Sequence, residues 1–240
     1  MPIARPEYGP SLVDVVAPRA RRIPRRVWIA VAVAVLVLAA AITAFLLGRA
    51  RPETQVVIRG PLTFNTRFDD RTRREAAGPG ELLRLHVAPV WQTGPDGKRI
   101  PKRGEETLVF RDGGAAPPRP EPAGAPIAQL SVRMVPIVRQ IRAEFAAIPG
   151  SDFQLRGEGR VKIGKDNAGW LVRYQFRRDG RIWYGVRLLL LPDVEGTRDR
   201  VLDMSLRTQS SPVVPNIRLA GSNGPMRTPF YGVAFGTEAP

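Results

Sequence analysis

Between an arginine-rich flank and Gly48 the chain runs for twenty-one residues, Val27 to Leu47, without one charged side chain. Wound as a helix, that run is about 31 Å long, which matches the hydrocarbon core of a bilayer. It predicts a transmembrane helix over 27–48 and divides the rest of the chain. A tail of residues 1–26 lies before it, a short linker of residues 49–53 after it, and everything from 54 to 240 must fold on one side of the membrane.

The charges on either side give a direction. Arg19, Arg21, Arg22, Arg25 and Arg26 crowd the N-terminal flank, whereas the dozen residues past the run carry only Arg49, Arg51 and Arg59 against Glu53. The positive-inside rule then makes the tail cytoplasmic and the long C-terminal part extracytoplasmic. A cleavable signal peptide would have a shorter apolar core ending in a small-x-small site; here Ala39 to Ala41 are followed by Ile42, Phe45, Leu46 and Leu47. The expectation is an uncleaved signal anchor in the cell membrane, passing through it once. Five prolines at 2, 6, 10, 18 and 24 make the tail a disordered segment.

Cysteine is absent from the chain, which excludes a lipid-modified cysteine, disulfides, a thiolate nucleophile and a Cys-ligated metal. Of the 37 basic residues 33 are arginine, a bias that genome composition alone can produce. The tail carries +4 of the net charge of +15 and the remainder +11. Beside a membrane, a +11 surface concentrates anions: lipid headgroups, an anionic envelope polymer or an acidic protein. Nucleic acid is not an expected partner outside the cell membrane.

Residues 54–68 alternate like strands around Gly60-Pro61, and Glu81 to Val90 alternates again. Gly94-Pro95-Asp96-Gly97 signals a turn, and Glu106 to Arg111 a returning strand. Residues 113–126, rich in Pro, Gly and Ala, predict a surface loop inside one domain, because 54–112 is short for an independent fold. The best helical stripe follows: Leu130, Met134, Ile137, Val138, Ile141 and Phe145, interrupted by Pro136, which should kink the helix or mark its first turn. Four strand candidates complete the pattern, Phe153 to Ile163, Gly169 to Arg177, Arg181 to Leu191 and Arg200 to Thr208. The middle pair is predicted to close over a three-residue loop, Arg178-Asp179-Gly180, pairing Phe176 with Ile182, Tyr174 with Tyr184 and Val172 with Val186 on one buried face. The alternative two-residue loop would set Arg187 opposite Val172. After Ser222, Pro225 and Pro229 leave room for a helical turn before Tyr231 and Phe235 pack down.

Chemistry is sparse. Gly159 to Lys165 has the glycine and lysine spacing of a phosphate loop, but Asp166 stands where a Ser or Thr must bind magnesium, and the segment alternates like a strand. His86, the one histidine, falls on the polar side of a strand and is expected at the surface. Asp69-Asp70 and Glu105-Glu106 cannot share a metal, since successive strand residues face opposite ways, and are expected to be solvated. No catalytic, metal or cofactor site is expected.

The stretch Gly169-Trp170-Leu171-Val172-Arg173-Tyr174, the Asp-Gly hairpin, Leu188 to Pro192, and the closing Gly224-Pro225-Met226-Arg227 with Phe235-Gly236 resemble the exported PsbP/Mog1-like, LpqN-like α/β domains of actinobacterial envelope proteins. The resemblance, over about 54–240, implies an α+β fold in which an antiparallel sheet packs against one long helix, and a non-enzymatic binding or scaffolding role. Two departures stand out: Pro229 breaks the C-terminal helix expected of the family, and a membrane helix replaces the lipid-modified cysteine of its lipoprotein members. The expected function is a membrane-anchored interaction module of the cell envelope, with Arg139, Arg142, Arg173 and Arg177 as contacts for an anionic polymer, lipid or envelope protein. The alternatives are an envelope-acting hydrolase and a small-ligand carrier built on Trp170, Tyr174, Trp183 and Tyr184.

Overall fold

The structure, a computed structural model, describes residues 27–29, 31–39, 53–116, 125–163, 167–192 and 200–236. The chain divides into two units, 1–51 and 52–240. In the first, residues 27–29 and 31–39 are helical and exposed. Among the described residues no helix is long and apolar enough to cross a membrane. The rest of the predicted span, Ala30 and residues 40–48, lies outside them, as do the tail 1–26 and linker residues 49–52.

In the second unit, β1 (Glu53–Ile58), β2 (Phe64–Asp69), β3 (Arg73–Glu75), β4 (Glu81–Val87), β5 (Val90–Thr93), β6 (Arg99–Arg103) and β7 (Glu106–Ala115) precede the helix α1 (Ala125–Ala146). There follow β8 (Gln154–Ile163), β9 (Asn167–Arg178), β10 (Arg181–Leu191), β11 (Arg200–Gln209), a short helix α2 (Arg227–Tyr231) and β12 (Ala234–Phe235). The main sheet has seven strands in the order β3-β4-β7-β11-β10-β9-β8, and its paired strands are antiparallel. Strands from both sides of the proline-rich stretch 113–126 thus pair within one sheet. That stretch is shorter than its composition suggests: β7 runs on to Ala115, where it pairs with Arg200, and α1 begins at Ala125. Residues 117–124 lie outside the described ones.

Both faces of the sheet are buried over part of their width. On one, Leu83, Leu85, Leu108, Phe110, Val186, Leu188, Leu202, Met204 and Leu206 pack with Phe64, Phe68, Met226, Phe230 and Phe235 from β1-β2-β12 and the C-terminal segment. On the other, Leu130, Met134, Ile141 and Phe145 of α1 are buried against Val172, Tyr174, Phe176, Leu189, Leu191 and Val201, as the helical stripe predicts. Pro136 sits exposed inside α1, eleven residues after its start, so it does not mark the first turn. The second unit is a helix, a large sheet and a small three-stranded sheet in layers, one layer more than the sequence suggested.

The β9-β10 register corrects the three-residue loop. Arg178 pairs with Arg181, Phe176 with Trp183, Gln175 with Tyr184 and Val172 with Arg187, so the loop is the two residues Asp179-Gly180. Both have positive φ, 51° and 71°, the pattern of a type I′ turn, whose twist matches that of the flanking strands. Tyr174 and Tyr184 therefore lie on opposite faces. Arg187 opposite Val172 is tolerated because its guanidinium meets the Asp203 carboxylate on β11. Beside it Gly185 lies under the Tyr174 ring, where a Cβ would stand 2.0 Å from Cζ.

Glu106 is a second correction. Instead of being solvated it is 1% exposed, on the core side of β7. Its Oε2 accepts from the Met226 N–H at 3.2 Å, which ties the C-terminal segment to the sheet. Burial pushes its carboxyl up to about 7.

Candidate functional site

The helix packs against β9 and β10, so the same face of β4, β7 and β11 is left open beside it. Alternation fixes which side chains that open half presents. One row across the sheet runs Arg84, Val109, Ser205, Arg187; the row on one side runs His86, Thr107, Arg207, Gly185; the row on the other side runs Glu81, Arg111, Asp203, Leu189. The other members of these rows, but not Glu81, Asp203, Gly185 or the helix-covered Leu189, join Ile137, Gln140, Ile141 and Glu144 of α1 and the rings of Tyr174, Phe176 and Trp183 in lining a groove of about 740 Å³.

Four arginines from four strands converge in it, each held differently. Arg84 binds Glu81 through Nε at 2.9 Å and Nη2 at 2.6 Å, and Arg111 Nη2 reaches the same carboxylate at 2.8 Å. Burial would raise the Glu81 carboxyl, but the hydrogen bonds from Arg84 and the Gly78 N–H, with Arg111 nearby, outweigh it and hold it below its ordinary value. One carboxylate thus serves two guanidiniums. Arg187 pairs with the buried Asp203, whose carboxyl is raised by burial against the pull of Arg187 and Arg111. Arg207 Nη2 bonds both oxygens of Glu144, at 2.8 and 2.9 Å, so this ion pair bridges sheet and helix at the surface. Arg111 Nη1 and Arg187 Nε are buried and without a hydrogen-bond partner. Burial lowers the Arg111 pKa first and the neighbouring Arg187 charge second.

His86 belongs to this groove and is half-buried rather than a plain surface residue. Its Nδ1 lies 3.4 Å from Thr107 Oγ1 and 3.9 Å from Glu75 Oε1. A hydroxyl–imidazole–carboxylate relay needs the hydroxyl on one ring nitrogen and the carboxylate on the other; here both address the same nitrogen. Among the described residues no group of three or more His, Cys, Asp or Glu is placed to hold a metal ion.

The structure does not bring the four arginines named from the sequence together. Arg139 and Arg142 are exposed on α1. Arg173 points away from α1, on the far face of β9, where it shares a depression of about 510 Å³ with Arg156 and Arg218. Arg177, at the end of β9, pairs with Asp152 at 3.1 Å. The aromatic row divides likewise: Trp170, Tyr174 and Trp183 lie on the helix side, while Tyr184 faces the small sheet and donates its hydroxyl to Pro215 O at 2.8 Å. Sequence reasoning missed Arg84, Arg111, Arg187 and Arg207. The trace that Arg84 and Arg187 leave is an arginine inside an otherwise apolar run, Leu82 to Leu85 and Val186 to Leu190, and the four become neighbours only once register is known.

No protein-family model matches the chain, and no curated protein does either. Among solved structures, the crystal structure of LpqN, involved in cell envelope biogenesis of Mycobacterium tuberculosis, is similar at 12% identity and a TM-score of 0.40, over 82% of this chain and 97% of that one. A protein of unknown function from Pseudomonas aeruginosa, PA94, is similar at 18% identity and a TM-score of 0.27, over 66% and 83% of the two chains. At these scores neither likeness carries an argument about this chain.

Proposed function

We propose that the chain is a membrane-anchored, extracytoplasmic binding module that holds an anionic group of an envelope partner in the groove between α1 and the open half of the sheet, without catalysing a reaction. The carrying observation is that Arg84, Arg111, Arg187 and Arg207 share that half-face, with Arg111 Nη1 and Arg187 Nε buried and unbonded. Five arginines line the groove, the fifth being Arg178, with the three glutamates 75, 105 and 144. Once Glu81 and Asp203, paired with Arg84, Arg111 and Arg187, are counted, carboxylates equal guanidiniums in number, so the unmade N–H bonds and not a surplus of charge favour an anionic ligand. Ile137, Ile141 and Phe176 exclude water on one side, which strengthens any charge-assisted bond made there. The anchor rests on the uncharged run Val27 to Leu47 and its arginine flank.

Titration calorimetry of the full chain in neutral detergent, with a glutamate hexapeptide and with pyrophosphate as probes, tests the groove. Each of Arg111→Gln and Arg187→Gln removes a charge-assisted donor and should weaken binding by about 10- to 100-fold. Binding that both variants leave unchanged, or no binding of either probe at low salt, would overturn the proposal.

A further inference from the structure

Strands β5 and β6 form a two-stranded sheet of their own, apart from both larger sheets. A lone ribbon is marginal in water, and this one is exposed except at the half-buried Trp91, Pro101 and Arg103, with Val90 and Ile100 at 40% and 38%. Its returning strand and turn read Lys98-Arg99-Ile100-Pro101-Lys102-Arg103. Register sorts the side chains: Gln92 and Ile100 share one face, while Trp91 and Pro101 share the other. The Trp91 ring is taken up by the domain, with the Arg181 guanidinium 4.5 Å from its centroid and that of Arg99 at 5.8 Å. This stack fixes the arm to the end of β10 and leaves Ile100 exposed between Lys102 and Lys98, whose Nζ lies 3.4 Å from Asp96 in the turn.

We infer that this arm docks on an anionic bilayer surface, its lysines among the headgroups and Ile100 at their base. The inference rests on the anchored reading above: five residues, Gly48 to Pro52, separate the uncharged run from β1 and span at most about 18 Å. A tether of that length keeps the start of β1 within reach of the headgroups, to which a basic ribbon carrying an exposed isoleucine is chemically matched. Each lysine near such a surface contributes about a fivefold change in partition.

The absence of cysteine makes the test direct. Gln92→Cys carries an environment-sensitive fluorophore in the full chain, reconstituted into phosphatidylcholine vesicles with or without phosphatidylglycerol, each containing a nitroxide-labelled lipid. Quenching should appear in the anionic vesicles, fall with added salt, and be lost when Lys98→Gln and Lys102→Gln are combined, a change of about 25-fold in the docked-to-free ratio. A fluorophore on Val132→Cys, exposed on α1, should stay unquenched. Equal quenching in both vesicle types, or none in the anionic ones, overturns the inference. Flotation with neutral vesicles reads the anchor separately. Should it fail, the anchored reading falls, and the arm is then judged by flotation of added protein with anionic vesicles: loss in the double-lysine variant supports it, indifference overturns it.

Discussion

Replacing Glu106 by Gln should make stability less dependent on pH, and the size of the effect follows from where the side chain lies. Glu106 is 1% exposed, its Oε2 accepts from Met226 N–H, and its Oε1 is buried without a hydrogen-bond partner. A Cβ on Gly224 would come within 2.3 Å of that oxygen, so the surroundings leave no space for solvent. Burial, more than the nearby Asp69, lifts the carboxyl from 4.5 to about 7, against the opposing Met226 N–H and Arg103 charge. The folded state therefore binds the proton more tightly than the unfolded state. Below pH 4.5 both states are protonated and no penalty exists; between 4.5 and 7 the unfolded chain ionises first and stability falls; above 7 the loss is complete. Linkage over that interval amounts to about 3 kcal/mol. Urea unfolding of the wild type and Glu106→Gln, followed by tryptophan fluorescence from pH 4.5 to 8, should show the variant gaining that amount relative to wild type as pH rises. Asp203, also raised, and Glu81 and Asp112, both lowered, titrate alike in the two proteins and cancel from the difference. A difference independent of pH would refute the reasoning.

Gly185→Ala should cost about 1–3 kcal/mol, because the new methyl group meets the Tyr174 ring; an unchanged melting temperature would mean the ring has another place to go. Asp203→Asn strands the Arg187 charge, which is only 16% exposed, and should cost about 3 kcal/mol in urea unfolding, whereas substituting both partners with apolar residues should cost less. Gly180→Ala forces a side chain into φ of 71° and should lose about 1–2 kcal/mol; equal stability in chemical denaturation would contradict the type I′ turn.

Much of the fold was legible because apolar residues repeat with the period of their element. The stripe from Leu130 to Phe145 appears as the buried face of α1, and the four strands after it match observed strands to within a few residues. The hairpin register was not legible. Val172, Tyr174 and Phe176 face the helix while Tyr184, Val186 and Leu188 face the small sheet, so both sides of β10 are apolar and alternation cannot say which way it points. Treating Arg187 as an intruder chose the wrong loop, because its partner Asp203 comes from a different strand. The arm β5-β6 escaped notice for a related reason: with Gly94 to Gly97 taken as the turn into β7, the short basic segment between had no apolar face to announce a strand. Glu106 was misplaced because its burial depends on the segment around Met226, 120 residues away.

The site itself follows from a mismatch of widths. An α-helix with its side chains is about 10–12 Å across and strands are spaced by about 4.8 Å, so one helix covers roughly two strands. A sheet of seven strands is nearly 30 Å wide. A chain with one long amphipathic helix and seven strands in one sheet must leave half of a face uncovered or find something else to cover it. On the far face β1, β2, β12 and the C-terminal segment do so; beside α1 nothing among the described residues does. The strands under the helix accordingly carry Val172, Tyr174, Leu189 and Leu191, and those beyond it carry Arg84, His86, Arg111, Asp203 and Arg207 at positions of the same parity. If water alone had to be accommodated there, short neutral side chains such as Thr107 and Ser205 would suffice. Partly buried guanidiniums cost desolvation, and two of them share the Glu81 carboxylate, so Arg111 Nη1 and Arg187 Nε remain buried without a hydrogen-bond partner although the acids of this half-face equal its arginines in number. Those unmade bonds, beside the apolar wall of Ile137 and Ile141, are the feature on which the proposed anionic ligand rests.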